Sequence, residues 1–174
     1  HLIVYNSGST LNPEELSPEV CDAVLDLART LPNLNLLSME SREGFVDSSL
    51  LMHLTSRLKR GRELRIILGI ESADDKIRNE ILDKYMPKKA IESAVQAIAI
   101  VRKQAMNNAL LNLALPGLTV NILIGGPGTT ASTAIRDAVA TALYSIELAE
   151  AYGLPLDLNL HPYYPSQRGL SRFP

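Results

Sequence analysis

The sequence predicts an α/β fold, an incomplete parallel (β/α) barrel with about five strands, and three observations lead there. Five short apolar runs alternate with longer amphipathic segments over the 174 residues. Polar residues gather just after the apolar runs, where a barrel carries its chemistry. The first connection lacks the G-x-G-x-x-G turn of a doubly wound dinucleotide sheet: Ser7-Gly8-Ser9 opens a long loop from Asn6 to Ser17.

The predicted strands are Leu2 to Tyr5, Leu34 to Met39, Leu64 to Ile70, Leu118 to Ile124 and Leu156 to Leu160. Each is too short for a helix and is bounded by Gly, Pro, Asn or Ser. The first predicted helix, Pro18 to Leu31, places Val20, Val24, Leu25 and Ala28 on one face, with Ser17 as N-cap and Pro18 at the first helical position. The second starts at Asp47 or Ser48, ends at Arg60 and carries Leu50, Leu51, Leu54 and Leu58. Pro87 to Gln104 carries Ile91, Val95, Ile98 and Val101. Asn107 to Gly117 has no clear period and reads as a ragged helix end and a loop. Ala131 to Tyr152 is long and Ala-rich, with Gly153 as its C-cap. Such alternation implies right-handed βαβ units and a parallel sheet.

Composition sets outer bounds. Length and a hydrophobic fraction of 46% fit one globular domain, 1–174. A net charge of −2 gives no global basic field toward nucleic acid or anionic membrane. Arg57, Lys59, Arg60, Arg62 and Arg65 cluster locally and read as a solvated helix end and turn. One cysteine, Cys21, excludes an internal disulfide framework and a thiolate-only metal site within one chain. No apolar run reaches the roughly 20 residues that span a bilayer, so the expected compartment is the cytoplasm. The start at His1, directly into a strand, and the stop at Pro174 with no helix after the last strand suggest a piece of a longer polypeptide.

The polar strand ends are Asn6, Ser7 and Ser9; Glu40, Arg42 and Glu43; Glu71 and Ser72; Gly125, Gly126 and Thr129; and His161, Tyr163 and Tyr164. Glu40 and Glu71 end consecutive strands. Their carboxylates form either a general acid–base pair, an acceptor pair for ligand hydroxyls, or a structural pair satisfied by Arg42 or a neighbouring helix N-terminus. Gly125 to Thr130 links a strand to a helix N-terminus, a place that suits an anion, yet lacks the lysine of a P-loop; a tight turn explains most of it. His161 with the two tyrosines offers a base, a metal ligand or a stacking platform, with no second His nearby in sequence to complete a metal pair. His53 reads as a structural residue. Ser7 and Ser9 lack a nucleophile-elbow context.

Four segments in register resemble successive motifs of the radical SAM barrel. They are Tyr5 to Leu16 (YNSGSTLNPEEL), Met39 to Glu43 (MESRE), Leu68 to Asp75 (LGIESADD) and Asn121 to Thr130 (NILIGGPGTT). The resemblance is to the branch of Elongator-catalytic-subunit-like and archaeosine-synthase-like proteins, whose second strand reads like Y-x-S-G-S-x-L-x-P and third like E-S/T-R-x-x-x-V. It implies that the chain holds strands 2 to 6 of such a barrel and binds S-adenosylmethionine (SAM). Residue by residue, it puts Ser7, Gly8 and Ser9 at the methionyl amino group, and Glu40 and Glu71 at the ribose or amino-acid part. Asn121 stands where relatives have an acidic ribose ligand, Lys84 near a basic position that contacts the SAM carboxylate, and Gly125, Gly126 and His161 near adenine.

The resemblance further implies a [4Fe-4S] cluster and a 5′-deoxyadenosyl radical acting on tRNA or another substrate. One departure is decisive for the chemistry: the cluster-binding C-x-x-x-C-x-x-C is absent, and Cys21 falls in a predicted helix. The expectation is therefore a fragment lacking the first β–α unit, inactive alone, SAM-binding, and with an open barrel edge that favours self-association. Two other readings stand beside it. One is a non-redox partial-barrel binding module; the other is a barrel lyase using Glu40, Glu71 and a lysine, against which Lys84 counts by lying in or after a helix.

Overall fold

A computed structural model describes residues 1–6 and 8–163. Five strands, β1 (Leu2–Val4), β2 (Leu36–Ser41), β3 (Glu63–Glu71), β4 (Leu115–Ile124) and β5 (Leu156–Pro162), alternate with four helices. The helices are α1 (Pro18–Thr30), α2 (Ser48–Leu58), α3 (Lys88–Asn107) and α4 (Ala131–Ala151). The strands lie in the order β1-β2-β3-β4-β5, every neighbouring pair parallel. Sequential order means that each crossover steps the same way. With one handedness, the helices then stack on a single face and the sheet curls away from them. The result is a curled half-barrel rather than a doubly wound sheet.

The outer face carries the core. Leu64, Ile66, Leu68 and Ile70 of β3 are fully buried, as are Leu118, Val120 and Ile122 of β4 and Leu37 and Met39 of β2. They pack with Leu51, Leu54 and Leu58 of α2 and Ile91, Val95, Ile98 and Val101 of α3. Local chemistry sets the helix starts. The Asp47 carboxylate accepts from Ser49 N at 2.8 Å and Leu50 N at 2.9 Å. Thr130 and Thr133 form a reciprocal capping box at the start of α4.

The alternate residues face the concave side. At its floor Arg65 bonds Asp157 at 3.0 Å and Glu63 at 2.8 Å and is only 8% exposed. Gly117 faces it across the β3–β4 register, and a Cβ at Gly117 would stand 2.3 Å from Arg65 Nη1. Arg65 thus departs from the solvated cluster expected of it, because pairing inside the sheet outweighs hydration. Arg57 binds Asp26, and Arg62 caps the carbonyls of Arg29 and Leu34.

The aperiodic stretch after α3 is a second correction. It closes with a 3-10 turn, Ala109–Leu111, and β4 then starts at Leu115, ahead of Pro116 and Gly117. Proline and glycine usually interrupt a strand. Here Pro116 O accepts from Arg102, and Gly117 leaves room for the Arg65 guanidinium. No helix of the described residues is long and apolar enough to cross a membrane.

Candidate functional site

Parallel pairing brings the C-terminal ends of β2, β3, β4 and β5 to one rim. A cavity of about 390 Å³ opens there, lined by Tyr5, Glu40, Glu71, Lys84, Asn121 and His161 among others. A second, of about 490 Å³, shares Glu40, Leu82 and Lys84 with it and extends to Asn6, Gly8, Glu15 and Arg42. Together they make a groove across the mouth of the half-barrel. Such a position is where barrel folds bind ligands.

Glu71 enters this groove because the backbone bends there. β3 slips register between Leu68 and Glu71, a bulge opposite β4, and Glu71 adopts φ +65°. A non-glycine residue in that region is strained, and strain of this kind concentrates at functional sites. The Glu71 carboxylate accepts from Lys84 Nζ at 3.0 Å, while the same ammonium lies 3.3 Å from Gly69 O. Gly69 leaves space for both groups: a Cβ there would come within 2.9 Å of the Glu71 carboxylate. Lys84 reaches the mouth from the loop after β3, just beyond the helical turn Ile77–Ile81, and joins the other groove residues that the resemblance named.

Glu40 is half-buried, and burial raises its carboxyl above the usual range. Glu71 adds to that rise, while Lys84 and His161 oppose it. Beside it the Tyr5 hydroxyl is also raised, by burial first and by Glu40 second. Asn121 is nearly buried, and its Oδ1 accepts from Asn159 Nδ2 at 3.1 Å, so the group it offers the cavity is its NH2. His161 is exposed at the rim.

Other expected site residues are placed differently. Ser9 is fully buried: its hydroxyl bonds Ser41 Oγ at 2.8 Å and accepts from Arg42 N, so it braces the β2 end and lines neither cavity. Gly8 lines the second cavity, and a Cβ on it would overlap the Glu15 carboxylate at 1.9 Å. Ser7 and Tyr164 lie outside the described residues. Gly125, at φ +82°, and Gly126 form the turn leaving β4 and line neither cavity. The long-range pairing His53–Asp22, at 2.8 Å, accounts for His53 on the outer surface.

Sequence reasoning missed Glu15 and Arg78. The Glu15 carboxylate accepts from Ser9 N at 2.5 Å and Asn12 Nδ2 at 2.9 Å, and these bonds hold it below the usual carboxylate range. Arg78 is fully buried between Ser72 and Met86. The turn Ile77 to Ile81 reads Ile-Arg-Asn-Glu-Ile and shows no apolar face, so nothing in the sequence marks Arg78 as its buried residue.

The residues fit SAM and do not fit an iron–sulfur cluster. A groove with carboxylates, an ammonium and amides suits a ligand bearing hydroxyls, a sulfonium and an amino-acid end. Cys21 instead lies buried on α1, where burial raises its thiol, and no group of three metal-ligating side chains exists among the described residues.

No family model matches the chain. Archaeosine synthase subunit beta of Methanosarcina acetivorans is 30% identical over 81 residues, which is 47% of this chain and 23% of that protein. The archaeosine-synthase-like relationship stands. An uncharacterized protein of Methanocaldococcus jannaschii is 26% identical over 145 residues, 83% of this chain and 36% of that one. The solved queuine lyase of Clostridium spiroforme, bound to SAM and queuine, superposes with a TM-score of 0.56 at 18% identity, over 95% of this chain and 56% of its own. That likeness shows the partial-barrel fold. The chain spans well under half the length of these two curated relatives.

Proposed function

We propose that this archaeosine-synthase-like chain is the SAM-binding portion of a radical SAM enzyme whose substrate is tRNA or a nucleoside base derived from it. The observation that carries the reading is the convergence of Glu40, Glu71, Lys84, Asn121 and His161 on one groove at the strand ends. The relationship to a protein named archaeosine synthase and the shared fold with a SAM- and queuine-bound lyase support the choice of ligand.

Each side chain has a role its chemistry allows. Carboxylates at Glu40 and Glu71 accept hydrogen bonds from ribose hydroxyls and neutralise nearby positive charge. Lys84, held over Gly69 O and Glu71, presents an ammonium to a carboxylate. The Asn121 NH2 donates to a ring nitrogen or ribose oxygen, and His161 with Tyr163 borders the adenine end of the groove. SAM, when bound beside a reduced cluster, supplies radical chemistry. These residues hold no such cluster, so the chain by itself orients SAM without cleaving it.

The test is titration calorimetry of the chain with SAM and with S-adenosylhomocysteine. Binding is expected, weakened about tenfold or more by Lys84→Met, since loss of one charged hydrogen bond is worth roughly 1.5–3 kcal/mol. Absence of binding at millimolar SAM, or indifference to Lys84→Met and Glu71→Gln, refutes the reading. A barrel lyase is the second reading, favoured by the arrival of Lys84 in the mouth. Against it, Nζ is spent on Glu71 and Gly69 O rather than presented free to a substrate carbonyl.

A further inference from the structure

We infer that Arg78 is a positioning residue that holds Lys84 and Glu71 across the groove by stapling the β3–α3 loop. The effect on SAM affinity rests on the proposed function; the effect on the ion pair does not. The loop runs from Ser72 to Pro87 and has little apolar core of its own. Ile81 and Tyr85 are exposed, and Met86 is its one buried apolar side chain. The backbone is also strained around the groove, with positive φ at Glu71 (65°), Asp83 (57°) and Tyr85 (49°). Something must over-determine these conformations.

The guanidinium does so. Nη1 donates to Ser72 O at 2.7 Å, directly after Glu71, and Nε donates to Met86 O at 2.7 Å, two residues after Lys84. Nη2 pairs with the Asp75 carboxylate. The Arg78 carbonyl accepts from Lys84 N at 3.1 Å, and neighbouring Asn79 accepts from Met86 N at 2.7 Å. The first strand of this stitching is anchored on α4, where Asp137 accepts from Ser72 Oγ and Thr141 from Ala73 N, each at 2.8 Å. A planar fork with five donors joins both ends of the loop, and the point charge of lysine has no such geometry.

The experiment uses Arg78→Lys, read in two ways. By NMR, amide exchange at Lys84 and Met86 is expected to accelerate at least about tenfold, and the Lys84 side-chain signal to lose its dependence on Glu71→Gln, while Ile66 and Val120 keep their protection. By titration with SAM, Arg78→Lys is expected to weaken binding about tenfold, but by less than about twofold in a Lys84→Met background, the coupling of residues that act as a unit. Should Arg78→Lys fail to fold, Asp75→Asn releases one arm of the staple and is expected to give the same pattern at smaller size. An unchanged loop and ion pair overturn the inference, as does equal loosening of Ile66 and Val120 or additivity with Lys84→Met. If the wild-type chain does not bind SAM, the cofactor reading fails alone, and the exchange data still decide the role of Arg78.

Discussion

Gly117→Ala tests the floor on which the groove is built. The new Cβ would stand 2.3 Å from Arg65 Nη1 and 2.9 Å from Cζ, too close for the guanidinium to remain, and 3.0 Å from Pro155 Cγ, a tight contact that a small shift relieves. The guanidinium cannot yield cheaply, because Asp157 holds Nε and Glu63 holds Nη2. It must give up one or both ion pairs inside a curved sheet. Breaking a fully buried pair costs about 3–5 kcal/mol. Here Asp157 and Glu63 are each about half exposed, so water recovers part of that, and about 2–3 kcal/mol is expected. For a domain of this size that is a fall of roughly 5–10 °C in Tm. Differential scanning calorimetry of Gly117→Ala, Arg65→Met and the double variant decides it. With Arg65→Met in place, Gly117→Ala should be neutral or slightly stabilising, since alanine loses less entropy than glycine in a strand. A single Gly117→Ala variant within about 0.5 kcal/mol of wild type would refute the inward placement of Arg65.

Two further outcomes follow from the groove and its scaffold. Glu40 has a raised carboxyl, so between its unfolded and folded values the native state binds the extra proton and this contribution to stability falls as pH rises. In Glu40→Gln the slope read from urea titrations at stepped pH is expected to lose that contribution and keep the one of the same sign from Asp137, which burial also raises. Over the same window SAM affinity should rise with pH in the wild type and stay flat in Glu40→Gln, because only the ionised carboxylate attracts a sulfonium. Asp47→Ala removes the acceptor for Ser49 N and Leu50 N and is expected to cost about 0.5–2 kcal/mol, read by urea denaturation.

The groove was legible where chemistry is local to a strand end. Glu40 and Glu71 follow apolar runs and Asn121 lies within one, and parallel pairing brings those strand ends to one rim; the bulge at Glu71 left no such mark in the sequence. Ser9 was read from the same rule and failed it, since the chain after β1 folds back and buries its hydroxyl against Ser41. Lys84 was named through the resemblance alone, because its loop includes a helical turn and no local pattern shows the chain returning to the mouth, where the Arg78 staple holds it.

Periodicity in this sequence determined the order and type of its elements, because apolar runs of strand length and helices of 3.6-residue period have few ways to bury their faces. Proline and glycine at 116 and 117 obscured the start of β4, for their meaning depends on Arg102 and Arg65, which lie elsewhere in the chain. Tertiary structure decided whatever required two distant segments to meet: the bulge that turns Glu71 inward, the ion pairs that bury Arg65, and the guanidinium that holds a strained loop. Those choices balance desolvation against pairing, and that balance exists only once the sheet has curled.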